Sequence, residues 1–136
     1  MVKVSIRYEG GLRCEATHGP SGQKVFTDAP VDNHGRGESF SPTDLVATAL
    51  GACMATIMGI VAQRHDIALT GMEIEVTKEM STDTPRRIAK LTTAIRVPLP
   101  PDHPKRTLLE NGALTCPVHQ SLGAEMEKPV VFEWLG

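Results

Sequence analysis

Apolar and polar residues alternate along the start of the chain, which is typical of a β-strand with one buried face. In residues 2–8 (VKVSIRY) the apolar side chains share one face: Val2, Val4, Ile6 and Tyr8. The pattern predicts a half-buried strand there, followed after a Gly-Gly turn by a return strand over residues 12–16 and a third short strand over residues 24–28. Residues 29–40 are rich in Gly, Pro, Asn and Asp and are predicted to form a loop.

The same alternation returns in the second half of the chain. Residues 72–76 and 89–97 each alternate, and the intervening Asp83-Thr84-Pro85 turn predicts a second antiparallel hairpin. Residues 104–114 have the spacing of an amphipathic helix, and residues 129–135 (PVVFEWL) are predicted to form a closing strand. Hairpins on both sides of a central helix indicate an α+β domain, so residues 1–136 are expected to form a single domain.

The central helix is predicted by a clear start signal and a long apolar run. Ser41 can cap the helix, Pro42 suits its first position, and Asp44 completes a capping box, so we expect the helix to run to about Arg64. Residues 45–62 contain no charge, which is the lower edge of a membrane span. Because ten of these eighteen residues are Ala, Gly, Thr or Cys and no aromatic residues flank them, we expect a helix buried by its own fold and no membrane partner.

Composition and cysteine usage narrow the class of protein. The chain is 40% hydrophobic and 22% charged with a net charge of -2, and it has no long basic run, so a nucleic acid is not an expected partner. Three cysteines without CxxC or Cys/His metal spacing argue against a secreted disulfide scaffold and against a structural zinc site. The N-terminus lacks the continuous apolar core of a signal peptide, so we expect a cytoplasmic location.

The cysteines are the candidate reactive groups. Taken alone, Cys53 in the middle of the apolar helix is typical of a small buried hydrophobe, and Cys14 on a predicted strand is expected to be structural. Cys116 precedes Pro117 at a predicted helix start, where backbone N–H groups are expected to lower a thiol pKa. If Cys116 packs near Cys53, the pair would combine an attacking thiol with a resolving thiol, as peroxide chemistry requires. The 63 intervening positions do not establish that proximity.

A thiolate in mid-helix gains nothing from a helix end and needs a cation. The candidate cations are Arg7 and Arg13 on the first hairpin and Arg36 in the following loop. Asp44 is a candidate carboxylate to orient such an arginine through a bidentate pair. The five histidines show no metal-binding spacing, and no serine lies in a GxSxG context.

Two segments, SPTDLVATALGACMATIMGIVAQRHDI and LTCPVHQSL, resemble the OsmC/Ohr family of osmotically inducible and organic hydroperoxide resistance proteins. The similarity lies in a Ser-Pro-x-Asp-Leu opening, a small-residue helix containing Ala-Cys, and a later Cys-Pro, in the same order. One difference is Thr43, which stands directly after the proline where the peroxidases of the family carry a glutamate. The loop GRGESFSP resembles the OsmC-like branch of the family more than the peroxide-resistance branch.

The resemblance implies an intertwined α+β homodimer, in which antiparallel sheets wrap long central helices and the active sites lie at the subunit interface. It implies that Cys53 attacks an organic hydroperoxide, that Cys116 resolves the product, and that Arg13 stabilises the Cys53 thiolate with Asp44 or another carboxylate orienting it. The reductant would be a small dithiol or lipoyl-type group, with no metal, flavin or haem cofactor. The alternatives are a non-catalytic dimer that binds a small apolar or electrophilic ligand, with the cysteines as sensors or core residues, and an inert relative that shares only the fold.

Overall fold

The computed structural model describes residues 1–136 as an α+β chain of six strands and three α-helices. In chain order these are β1 (Val4–Gly10), β2 (Arg13–His18), β3 (Lys24–Asp28), α1 (Pro42–Arg64), β4 (Glu73–Met80), β5 (Ile88–Val97), α2 (Arg106–Leu114), α3 (Pro117–Ser121) and β6 (Val130–Trp134), with a single 3₁₀ turn at Val31–Asn33 in the loop before α1. The chain forms two compact units, residues 1–46 and residues 47–136.

The first unit contains a three-stranded antiparallel sheet in the order β1-β2-β3. The predicted strands are confirmed, with the ends of β1 and β2 displaced by up to two residues. In β1 the expected burial is wrong for the single chain, because the apolar face is exposed: Val4 is 54%, Ile6 68% and Tyr8 63% exposed. Contiguous apolar exposure of this kind is characteristic of a surface that another molecule covers.

The start of α1 is the predicted capping box. The Asp44 backbone N–H donates to Ser41 Oγ at 3.0 Å, and the Ser41 backbone N–H donates to Asp44 Oδ2 at 2.9 Å. Pro42 occupies the first helical position, where its missing N–H costs nothing. The helix then runs to Arg64, as the apolar run predicted.

Only one stripe of α1 is buried. Its buried residues recur every three or four positions: Ala47, Leu50, Gly51, Met54, Met58 and Ala62. The opposite side includes Thr56 and Ile60, which are exposed, so the expectation that the chain's own fold surrounds this helix is wrong. By length and composition alone α1 is long and apolar enough to cross a membrane, a test that core helices of soluble proteins also pass.

The second unit contains a three-stranded sheet in the order β4-β5-β6. The predicted hairpin pairs β4 with β5 in antiparallel register, while β6 pairs with β5 in parallel register. The inner face of β5 is fully buried and consists of Leu91, Thr93, Ile95 and Val97. Gly51 lets α1 approach β4 closely, since a Cβ there would lie 2.9 Å from Val76 Cγ2.

Parallel pairing of β5 with β6 requires a crossover connection, and residues 98–129 supply it. This crossover carries α2 and α3. Glu110 of α2 accepts hydrogen bonds from Trp134 Nε1 at 2.7 Å and from Arg106 Nε at 3.0 Å, and the Arg106 guanidinium lies 5.3 Å from the Trp134 ring centre. These contacts attach α2 to the end of β6.

Candidate active site

The second unit brings Cys53 and Cys116 together. Cys53 lies in the middle of α1 and is half-buried, whereas Cys116 immediately precedes α3 and is 0% exposed. Their side chains are close enough for Cys53 to affect the titration of Cys116. A disulfide between two cysteines requires their Cα atoms to lie within about 7 Å of each other.

Local sequence explains how Cys116 is positioned. Cys116 has extended backbone geometry and is the N-cap of α3, with Pro117 as the first helical residue. Its Sγ accepts a hydrogen bond from the His119 backbone N–H at 3.3 Å, and its carbonyl accepts from the Gln120 N–H at 3.1 Å. The sulfur therefore takes the place that a serine or aspartate oxygen holds in an ordinary N-cap.

The pKa of the Cys116 thiol is raised above the ordinary cysteine value. Burial is the largest cause, and the neighbouring Cys53 raises it further, while the backbone N–H groups of Val118 and His119 lower it. The expectation that the helix start lowers this pKa is therefore wrong, because desolvation outweighs the N–H donors. Cys116 is a protonated thiol at neutral pH.

His119 contacts Cys116 through its backbone N–H, which donates the hydrogen bond to Cys116 Sγ. The pKa of its imidazole is lowered, first by burial and then by the positive charge of Lys128. The ring is consequently neutral at neutral pH.

Arg13 lies in the first unit and is held by two carboxylates. Its Nε and Nη2 donate to the two oxygens of Asp28 at 2.7 and 2.8 Å, and Nη2 also contacts Glu38 Oε1 at 3.3 Å. Asp28 is 1% exposed, and the hydrogen bond from Arg13 is the main cause that lowers the pKa of its carboxyl. The Glu38 backbone N–H supplies a further hydrogen bond to Asp28 at 3.2 Å.

Asp28 is the carboxylate that forms the two-point pair with Arg13, and Asp44 Oδ2 accepts the hydrogen bond of the helix cap. The sequence named Asp44 or another carboxylate for this role and did not identify Asp28 or Glu38. The signal was present in the hairpin, because Arg13 and Asp28 stand directly opposite each other in the β2–β3 register.

The other candidate residues of the first unit, Arg7, Arg36 and Cys14, each have different neighbours. The charge of Arg7 acts on Glu15, which also forms an ion pair with Lys24 at 2.7 Å. The Arg36 guanidinium lies beside Gly11 and contributes to the field at Asp28. Cys14 is half-buried on β2, opposite Tyr8 on one side and Thr27 on the other.

A groove of about 390 Å³ lies along the C-terminal half of α1. Small and apolar side chains line most of it, among them Ala55, Ile67, Leu69 and Met72, with Gln63 as a polar group. Neither Cys53 nor Cys116 is among its lining residues.

The family model for OsmC-like proteins matches residues 35–128, so the chain belongs to the OsmC-like protein family. The matched range contains both α1 with Cys53 and the crossover with Cys116. Comparison with curated proteins gives no match.

Solved structures agree with this assignment. A Psychrobacter arcticus protein, named for osmotic stress induction and a detoxification response, is 43% identical with a TM-score of 0.92, covering 98% of this chain and 96% of its own. An organic hydroperoxide resistance protein OsmC from Legionella pneumophila is 12% identical with a TM-score of 0.79, covering 98% and 96%. An OsmC-like protein from Mycoplasma pneumoniae is 15% identical with a TM-score of 0.83, covering 100% and 98%. Because the Legionella and Mycoplasma proteins are only 12% and 15% identical to this chain, they establish a shared fold alone.

Proposed function

We propose that this protein is a thiol peroxidase that reduces organic hydroperoxides, with Cys53 as the attacking thiol and Cys116 as the resolving thiol. The observation that carries the proposal is the contact between these two side chains, which are 63 positions apart in the sequence. Family membership adds support, since relatives of the same fold are named organic hydroperoxide resistance proteins.

The reaction proceeds in two steps. The Cys53 thiolate attacks the distal oxygen of the hydroperoxide, so that an S–O bond forms, the O–O bond breaks, and the leaving alkoxide takes up a proton to become an alcohol. Cys116 then attacks the Cys53 sulfenic acid. The S–S bond forms as the S–O bond breaks, and the Cys116 proton leaves with the hydroxide as water.

The difference in burial between the two cysteines supports this assignment of roles. Cys53 is half-buried, whereas Cys116 is 0% exposed and is protonated at neutral pH because burial raises its pKa. A protonated resolving thiol does not compete for the peroxide, because the thiolate is the nucleophile.

Arg13 is proposed as the cation that stabilises the Cys53 thiolate, with Asp28 orienting its guanidinium. The support is the family resemblance together with the two-point pair that leaves Arg13 in a single orientation. Replacing Arg13 by Ala is expected to slow Cys53 oxidation about 10- to 100-fold. Arg7→Ala and Arg36→Ala are matched controls, and a larger loss in either variant would reassign the role.

The working form is proposed to be a homodimer. Two exposed apolar surfaces support this: the face of β1 that carries Val4, Ile6 and Tyr8, and the side of α1 that includes Ile60. A second copy is the covering partner that the family resemblance implies.

Mass spectrometry of the reduced protein after one equivalent of cumene hydroperoxide tests the proposal. The wild type is expected to lose two hydrogens in a Cys53–Cys116 disulfide, and Cys116→Ser is expected to accumulate sulfenic acid on Cys53. Cys14→Ser is the matched control and should behave as the wild type. Unchanged thiols in all variants would overturn the proposed peroxidase activity. They would favour a non-catalytic protein that binds a small apolar or electrophilic ligand, and the groove beside α1 would then be the site to examine.

A further inference from the structure

Helix α3 is short and has little packing of its own. It has five residues, Pro117–Ser121, and none of them is buried. A helix of this length is marginal in water, because few hydrogen bonds offset the cost of forming its first turn. The contacts at its ends therefore decide whether α3 stays folded.

The contact at the N-terminus of α3 is the side chain of Cys116. This residue is 0% exposed, and its Sγ accepts the His119 backbone N–H at 3.3 Å, with the Val118 N–H as a second donor. A helix N-cap of this kind satisfies N–H groups that no carbonyl of the same helix can reach. One sulfur thus caps α3 and anchors it in the core of the second unit.

The proposed disulfide uses the same sulfur. A covalent S–S bond brings two sulfurs well inside the separation of non-bonded atoms, so at least one of them has to move. Cys53 lies in the interior of α1, a 23-residue helix with a buried stripe, whereas no residue of α3 is buried. The displacement is therefore expected on the Cys116 side, where Sγ moves away from the two N–H groups.

We infer that the cysteine pair is also a conformational switch, in which α3 is folded while Cys116 is a free thiol and unfolds when Cys116 is bonded to Cys53. This inference rests on the proposed function for the oxidised state. The two thiols give up two protons and two electrons to the oxidant as the S–S bond forms, and the N–H groups of Val118 and His119 lose their acceptor. The half-buried side chains of Val118 and Leu122 then separate from the second unit. The oxidised protein consequently presents a loose segment that the reduced protein lacks.

Hydrogen–deuterium exchange tests the switch. A Cys14→Ser protein is compared after reduction and after oxidation with diamide, which accepts the two hydrogens, and mass spectrometry verifies a Cys53–Cys116 bond within one chain. The amides of residues 119–122 are expected to exchange about fivefold faster or more in the oxidised form, as in a helix that loses its cap. The amides of β5 are the internal reference and should keep their rates. Equal or slower exchange of residues 119–122 in the oxidised protein would overturn the inference.

Two substitutions test the cap without any oxidant. In the Cys14→Ser background, Cys116→Ala removes the acceptor and should speed the exchange of residues 119–122 about as much as oxidation does. Cys116→Ser keeps an acceptor at the same place and should exchange slowly, as the reduced parent does. Both variants lack the thiol, so their difference isolates the cap. Equal exchange in the two variants, with circular dichroism showing that both are folded, would contradict the inference.

Use of diamide keeps the switch distinct from the peroxidase proposal. If diamide forms the disulfide but cumene hydroperoxide does not, the proposed peroxidase activity fails, and the exchange of residues 119–122 still decides the switch. If neither oxidant joins the two cysteines, both proposals are overturned. Cys53→Ser cannot form the bond, so after diamide its α3 should exchange as in the reduced protein. Faster exchange in that variant would assign the effect to diamide adducts on Cys116 and contradict the switch.

Discussion

Arg13 and Asp28 form a two-point ion pair in which the carboxylate is almost completely buried and the arginine partly exposed. The pair joins directly opposed residues of β2 and β3. The hydrogen bond from the Glu38 N–H to the same carboxylate ties the following loop to the sheet. A buried carboxylate is stable only with such partners, so the three groups depend on one another.

Replacing Asp28 by Asn is expected to lower the thermal midpoint of the protein at pH 7, because Arg13 loses its charged partner while the amide stays buried. Glu38→Gln is the matched control and should change the midpoint little, since Glu38 is 62% exposed. A fall in Glu38→Gln as large as that in Asp28→Asn would contradict the assigned importance of Asp28.

The same pair predicts the pH dependence of stability. The pKa of Asp28 is lowered in the folded state, so its contribution is fully present above the ordinary value of 3.8 and is lost as pH falls through the lower folded value. The difference in midpoint between wild type and Asp28→Asn should stay constant from pH 7 to about pH 4 and shrink below it. Scanning calorimetry across this range measures it, and a difference that shrinks already near pH 6 would refute the lowered pKa.

Cys116 is expected to titrate above the ordinary cysteine value of 9.0 in a Cys14→Ser background, because burial raises its pKa. Removing Cys53 as well should bring that pKa down part of the way, since the neighbouring sulfur adds to the increase. Thiolate absorbance at 240 nm follows both titrations. A Cys116 pKa below 9.0 in the double variant would mean that the N–H donors outweigh burial.

Ile6→Glu is expected to convert a dimer of about twice 14.7 kDa into a monomer, because it places a charge in the apolar face of β1. Ser5→Glu adds the same charge on the opposite face of the same strand and should leave the mass unchanged. Light scattering coupled to size exclusion measures both. A wild type that elutes as a monodisperse monomer would remove the proposed dimer.

Thr93→Val is expected to raise stability by about 1 kcal/mol, because the Thr93 hydroxyl is fully buried without a hydrogen-bond partner. Valine keeps the shape and the strand preference while removing the unpaired polar group. Thr93→Ser, which keeps the hydroxyl and loses the methyl, should be less stable than the wild type. Urea denaturation compares the three proteins, and a destabilised Thr93→Val would indicate that the hydroxyl has a partner.

Much of the fold was predictable because its signals are local. Ser41, Pro42 and Asp44 specify the start of α1, and alternation specifies the strands. The parallel register of β6 was not predictable, since a single closing strand carries no information about the strand it will join. The exposure of Ile6 was missed because the apolar pattern of a strand is the same whether the covering surface belongs to its own chain or to another molecule.

The sequence could name the candidate cysteines but neither their geometry nor the carboxylates that hold Arg13. Cys53 and Cys116 were identifiable by type and context, but their contact depends on how the crossover folds back onto α1, which no local pattern encodes. The pKa of Cys116 was predicted in the wrong direction. The Cys-Pro sequence indicates a helix start, whereas the burial that raises the pKa depends on tertiary packing.

The crossover between β5 and β6 carries the second thiol on a segment that lies outside the strands of the sheet. Both ends of the crossover, residues 98–129, are fixed because β5 and β6 pair with each other in the sheet. A change in the crossover could replace, displace or delete Cys116 while the register of Thr93 with Val130 stays the same. One scaffold can in this way hold a two-thiol or a one-thiol site, and the choice is made in helices that contribute no strand to the sheet.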